Sequence, residues 1–176
     1  MKNLIVSTLS PAHEAAAEAI GALVKANPDT EVIDTTGMDI RGCIGCNNCW
    51  LRTPGKCVIK DDYEQIFIKY LQVDRVIFVC DTKLGFVTYQ MKNLVDRILP
   101  LALMYLKFQD GQMRHVSRYN KKLEFGMLYT GDGNREYLNE WMERFALNML
   151  CPSLGAYKLE DEEGFIHAFG NHQLHA

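Results

Sequence analysis

The sequence predicts an α/β fold, a three-layer sandwich in which helices cover both faces of a parallel sheet. Two observations predict it. Short apolar runs alternate with helical patterns along the chain, and that alternation builds a parallel sheet because each crossover returns the chain to the same edge. The 176 residues also contain no internal repeat, low-complexity tract or Pro/Gly linker, so a single domain over 1–176 is expected.

The elements follow in order. Asn3 to Thr8 (NLIVST) reads as a buried strand, short and apolar. Ser10-Pro11 reads as a helix start, a hydroxyl cap followed by proline at the first helical position. Ala15, Ala16, Ile20, Leu23 and Val24 then share one helical face, and Asn27-Pro28 ends it. Glu31 to Thr35 is a second strand, followed by a cysteine-rich loop over 42–60. Asp61-Asp62 opens a helix bearing Ile66, Phe67, Tyr70 and Leu71, with both carboxylates at its positive end. Arg75 to Cys80 (RVIFVC) is the clearest buried strand. A loop over Asp81 to Phe86 leads to a helix marked by Met91, Leu94, Val95, Ile98 and Leu99. Leu123 to Tyr129 is a fourth strand, Glu136 to Leu150 a helix, and Leu154 to Leu159 a fifth strand; an irregular tail is expected over 160–176. Five strands in a chain of this length suit the flavodoxin-like order 2-1-3-4-5. In such a sheet a ligand sits beyond the C-terminal strand ends, at the switch point between strands 1 and 3. The loops to watch are Ser7 to Pro11, Asp81 to Phe86 and Thr130 to Asn134.

Composition narrows the function classes. Hydrophobic residues make up 48% and charged residues 23%, an ordinary globular balance. A formal net charge of -3 gives no basic footprint for nucleic acid or an anionic membrane surface. No apolar run approaches the ~20 residues of a membrane span, and the first residues lack a signal-peptide pattern. A cytoplasmic location is expected, where thiols stay reduced and clustered cysteines point to metal or redox work.

Four of the six cysteines crowd into GCIGCNNCWLRTPGKCVIKDD, as Cys43, Cys46, Cys49 and Cys57. The spacing C-x2-C-x2-C-x7-C supplies four thiolates for a [4Fe–4S] cluster or for zinc. Gly42, Gly45 and Gly55 let the backbone turn tightly enough to bring the sulfurs together. Cys43/Cys46 and Cys46/Cys49 are also C-x-x-C pairs suited to dithiol exchange, and a loop of packed, inert cysteines is the plainer reading. Trp50 follows Cys49 as a shield, a loop anchor or a contact between copies.

This loop, followed by Lys92-x3-Asp96-Arg97, resembles the NADPH-dependent FMN reductase and iron-sulfur flavoprotein branch of the flavodoxin-like superfamily. The resemblance implies FMN at the switch point, NAD(P)H as donor, a small-molecule or protein electron acceptor, and a homo-oligomer that completes the flavin pocket. It implies a cysteine-held cluster in some members and none in others. Carried onto this chain, the FMN phosphate falls to Ser7, Thr8 and Ser10 at a helix N-terminus. The ring falls to Thr82, Lys83, Leu84, Gly85 and Phe86, and to Tyr129, Thr130, Gly131 and Asp132.

The chain departs from the family pattern at these loops. The arginine expected after Ser10-Pro11 is absent, and Ala12, His13 and Glu14 stand in that region. Glu14 places an anion where a phosphate would sit. The proline and tyrosine of the second loop are replaced, leaving Gly85 with Phe86 beside it. Lys83 suits negative charge on a reduced ring or simple solvation. Lys92, Asp96 and Arg97 match best and are expected to fix helix packing. Cys80 and Cys151 read as core thiols, and His167, His172 and His175 form no trusted metal pattern. The alternative to a flavin enzyme is a flavodoxin-like domain that has lost FMN and acts as a metal-, cluster- or thiol-redox protein.

Overall fold

The computed structural model describes residues 1–170. Five parallel strands form the main sheet: β1 (Asn3–Ser7), β2 (Thr30–Asp34), β3 (Arg75–Lys83), β7 (Glu124–Gly131) and β8 (Ser153–Lys158). Their order is β2-β1-β3-β7-β8, the predicted 2-1-3-4-5 pattern. Side chains alternate across this sheet. Leu4, Val6, Phe78, Cys80, Phe125 and Met127 face α3 (Tyr63–Tyr70), α4 (Tyr89–Asp96) and α5 (Arg135–Asn148). Ile5, Ile77, Val79 and Leu128 face α1 (Glu14–Ala26) and α6 (Glu162–Gly170). Because both faces are covered there, β1, β3 and β7 are buried and mostly apolar, which is why they stood out in the sequence, while the edge strand β2 (TEVID) is largely exposed.

Three expectations are corrected. The first helix starts at Glu14, not at Pro11. Ser10 Oγ accepts the Ala12 amide at 3.2 Å and the Ser10 carbonyl accepts the His13 amide at 2.9 Å, which closes a turn through the proline. His13 then caps the helix, its Nδ1 accepting from the Ala16 amide. The loop expected at Asp81 to Phe86 is instead the end of β3, a two-residue turn at Leu84-Gly85, and β4 (Phe86–Val87). Both turn residues have positive φ, 54° and 77°, the geometry whose twist matches that of paired strands.

The tail expected to be irregular contains α6. Phe165 and Phe169, four residues apart, fill the second face of the sheet. A Cβ on Gly126 of β7 would stand 2.7 Å from the Phe169 ring. Beneath them Arg75 and Glu124 form a buried ion pair at 2.7 Å, and Arg75 also donates to the Phe169 carbonyl. His167 lies on α6; His172 and His175 lie outside the described residues.

Between α4 and β7 the sequence suggested no element. There the chain makes a 3-10 turn (Leu99–Leu101) and a separate two-stranded ribbon, β5 (Ala102–Gln109) and β6 (Gln112–Ser117). A short helix, α2 (Asn48–Leu51), sits inside the cysteine loop.

Candidate functional site

The cysteine loop is closed at its stem by its own carboxylates. Asp62 accepts the Asp39 amide at 2.8 Å and returns its own amide to the Asp39 carbonyl at 3.0 Å. Asp61 accepts the amides of Arg41 at 3.0 Å and Tyr63 at 3.2 Å. The two aspartates therefore staple the start of the loop to its end as well as opening α3. Arg97, just past α4, completes the stem. Its guanidinium pairs with Asp61, donates to the carbonyls of Arg41 at 3.0 Å and Ile59 at 3.4 Å, and lies 4.6 Å from the Tyr63 ring centroid. Asn93 adds a bond to the Ile40 carbonyl at 3.0 Å. Burial pushes the Asp61 carboxyl up, but the Arg97 hydrogen bond, the Arg41 amide and the guanidinium charge outweigh it and hold it below its ordinary value.

The ribbon holds the loop's far side. Trp50 donates its indole N–H to the Leu99 carbonyl at 3.1 Å and packs on the His115 ring, with centroids 4.8 Å apart. Arg118 donates to the carbonyls of Pro100 at 3.0 Å and of Cys49 and Ala102, both at 3.4 Å. Trp50 is thus a loop anchor. His115 and Arg118 escaped the sequence reading because nothing in a short polar-apolar stretch signals which loop it will touch. A cavity of about 220 Å3 opens between this loop and α3, lined by Cys57, Ile59, Phe67, Ile68, Pro100 and Tyr119 among others.

All four loop cysteines are free thiols, Cys43 and Cys46 exposed and Cys49 and Cys57 half-buried. The Cys49 thiol is pushed up by burial and then by the charges of Cys57, Cys43 and Cys46, so the four sulfurs are electrostatic neighbours. Among the described residues no three His, Cys, Asp or Glu side chains close on a common metal position. The arrangement is four neighbouring thiols, not a formed metal cage. Cys80 is a core thiol pushed well up by burial, and Cys151 is pushed up for the same reason.

The other predicted site residues lie at the C-terminal ends of β1, β3 and β7, which are adjacent strands. In the first loop two hydroxyls are already committed. Ser7 Oγ donates to the Leu9 carbonyl at 3.1 Å, and Thr8 Oγ1 to the Val79 carbonyl at 3.3 Å. Ser10 Oγ acts as an acceptor, so its proton is available to donate.

The second and third loops form one interlocked unit. Thr82, buried, donates to the Thr130 carbonyl at 2.6 Å and accepts the Gly133 amide at 2.8 Å. Asp132 accepts the amides of Leu84 at 2.9 Å and Gly85 at 3.1 Å, capping the hairpin turn. Gly131 has φ 89°, and a Cβ there would stand 2.3 Å from the Thr82 carbonyl oxygen. Phe86 packs on Tyr137 and Trp141 of α5, so its ring buttresses the hairpin. Tyr129 is buried in the core. Leu84 stands at the tip, 97% exposed. The structure brings 82–86 and 129–132 together, with Thr82 and Asp132 bonding to the neighbouring loop.

No family model matches the chain. It is 36% identical over 86 residues to an iron-sulfur flavoprotein of Methanocaldococcus jannaschii, covering 49% of this chain and 44% of that protein. It is 33% identical over 73 residues to an iron-sulfur flavoprotein of Archaeoglobus fulgidus, covering 42% and 35%. The chain thus spans less than half the length of these curated relatives. Among solved structures it resembles an NAD(P)H:quinone oxidoreductase from Methanothermobacter marburgensis with a TM-score of 0.68 and 13% identity, over 99% of each chain. That likeness shows the fold. No helix among the described residues is long and apolar enough to cross a membrane. Sequence and fold agree with the resemblance carried by the cysteine loop: this chain is similar to the iron-sulfur flavoproteins and shares the flavodoxin-like fold of the NAD(P)H-dependent FMN and quinone reductases.

Proposed function

We propose that this chain is an FMN-dependent oxidoreductase working in the cytoplasm as a homo-oligomer, with NAD(P)H as donor and a small molecule or protein as acceptor. One observation carries the reading: a rigid hairpin-and-turn platform at the switch point, built from Thr82 to Phe86 and Tyr129 to Asp132. The six free cysteines suit a reducing compartment.

The chain's residues divide the work. The bare Leu84 side chain and the turn around it offer an apolar edge for a flat ring. Asp132 and Thr82 hold that edge still, so ordering it costs little on binding. Lys83, exposed beside it, brings positive charge toward the ring and favours its reduced, negative form. At the phosphate end Ser10 is the hydroxyl with a proton to give, and Ser7 and Thr8 shape the loop through their carbonyl bonds. The amides of the first turn of α1 add partial positive charge, offset by Glu14. When bound, FMN supplies hydride and electron transfer; the protein orients the ring and keeps water from one face.

A second reading is favoured by the committed hydroxyls of Ser7 and Thr8. In it the domain no longer holds FMN and acts through Cys43, Cys46, Cys49 and Cys57, by metal or cluster binding or by dithiol exchange. Anaerobic purification followed by absorbance, metal analysis and FMN titration separates the two. The first expects one FMN per chain and a weaker affinity for Lys83→Ala. A protein that shows no flavin bands and no FMN binding on titration overturns it.

A further inference from the structure

The cavity of about 220 Å3 beside Cys57 has three walls, and they come from separate segments. The thiol loop supplies Pro54 to Cys57 and Ile59. Helix α3 and its C-cap supply residues between Tyr63 and Leu71, and the third wall is Pro100 with Tyr119, just past β6. Among the described residues, no wall belongs to the flavin platform at 7–10, 82–86 or 129–132. Gly55 brings the first and third walls together. It is buried at φ 81°, and a Cβ there would stand 2.9 Å from the Tyr119 hydroxyl. An apolar cavity of roughly 150 Å3 holds one benzene ring, so this one holds a single ring with a small substituent.

We infer that this cavity is a binding site for a small aromatic carboxylate. The walls choose a ring over a chain. Tyr63, Phe67 and Tyr119 line the cavity, and aromatic side chains take a flat ring in edge or offset contact, with a gain beyond the area buried. The polar groups choose the acid. Lys56 lines the cavity, and its ammonium makes no ion pair or hydrogen bond among the described residues. The Tyr119 hydroxyl, likewise without a bonding partner among them, lies against Gly55, the residue before Lys56, so the two donors share one end. Glu64, the opposing charge in the lining, is engaged by Lys60 at 3.5 Å. A carboxylate at that end accepts from an ammonium and a hydroxyl in charge-assisted bonds, while Phe67, Ile68 and Leu71 take the ring.

The occupant bears on the thiol loop. Cys57, half-buried, is part of the wall, so a bound ring covers that side of its thiol. Two walls are also the loop's own fastenings. Arg97, which closes the stem, lies over the Tyr63 ring at 4.6 Å, and Arg118 donates to the Pro100 and Cys49 carbonyls at 3.0 and 3.4 Å. A ligand packed on Tyr63 and Pro100 adds to those fastenings and stabilises the fold as its occupancy rises. The site stands on the cavity and does not depend on the flavin reading.

Benzoate is the probe, titrated into the full chain under reducing conditions and followed by amide chemical shifts. Saturable shifts are expected at 54–59, at 63–71 and around Tyr119, with a dissociation constant of sub-millimolar to millimolar order, which is what about nine heavy atoms supply. Benzamide, the same ring without the charge, should bind about tenfold more weakly, the loss of one charge-assisted bond. Lys56→Gln, at an exposed position, should weaken benzoate about tenfold and leave benzamide as it is. Saturating benzoate should slow alkylation of Cys57 several-fold and leave Cys43, exposed and outside the cavity, at its usual rate. The inference is overturned by an absence of saturable shifts, by shifts centred elsewhere, or by benzamide binding as tightly as benzoate. A Lys56→Gln chain that binds benzoate like wild type, or an unchanged rate at Cys57, overturns it as well.

Discussion

Replacing Arg97 with methionine should unfasten the cysteine loop while leaving its four thiols in place. Arg97 is 2% exposed and its partner Asp61 has a fully buried side chain. The change removes the guanidinium and leaves the carboxylate inside, together with the carbonyls of Arg41 and Ile59 that it bonded. Breaking one side of a buried pair costs about 3–5 kcal/mol. Asp61 keeps the amides of Arg41 and Tyr63, which moderates the loss. About 3 kcal/mol at neutral pH is the expected value, on the order of 10 °C in melting temperature for a domain of this size. The pH dependence follows from the carboxyl. In the native protein it lies below its ordinary value, so its contribution is present above the unfolded value and is lost as pH falls through the folded one. In the variant the chief downward influence is gone and burial remains, so the carboxyl moves up and protonation relieves it. The gap between native and variant should be widest near pH 7 and should narrow as pH falls toward about 4. Urea unfolding at both pH values measures it. Thiol labelling tests the local part: if the stem opens without global unfolding, Cys49 and Cys57 should react several-fold faster. A variant within about 1 kcal/mol of wild type, with unchanged labelling, would refute the clamp.

Other consequences follow from the same geometry. Phe169→Ala should cost about 3–5 kcal/mol by emptying the space over Gly126; a loss under about 1 kcal/mol in urea would mean that α6 does not close the core. Asp132→Ala frees the amides of Leu84 and Gly85, and FMN affinity measured by fluorescence quenching should fall about tenfold, near 1.4 kcal/mol. An unchanged affinity would remove the hairpin turn from the site. Cys46→Ser, at an exposed position outside the core, should leave the melting temperature and FMN affinity as they are; flavin loss in that variant would make the thiol part of the flavin pocket.

The centre of the sheet was legible because β1, β3 and β7 are buried on both faces. Runs such as RVIFVC have no other stable placement, and the strand order followed from the alternation with helices. The four-cysteine loop was legible for a different reason, since clustering and spacing are visible without coordinates. The ends and irregular pieces were not. Nothing local distinguishes Ser10-Pro11 as a turn from the same pair as a helix start; His13 decides it by bonding the Ala16 amide. Leu84 is an unlikely residue for positive φ by local preference, and Asp132, forty-eight positions away, holds it there. Phe165 and Phe169 become a core helix only because β7 offers Gly126 beneath them.

By itself the sequence determined the doubly wound sheet, its switch point and the thiol-bearing loop beside it, because burial pattern and residue spacing are written along the chain. Only the tertiary structure decided how that loop is held. Arg97, Asp61, His115 and Arg118 come from three separate segments, and their bonds to the loop exist only once the sheet has set those segments side by side. The cysteines can be counted in the sequence, but the distances among their sulfurs are set by contacts made far from them along the chain.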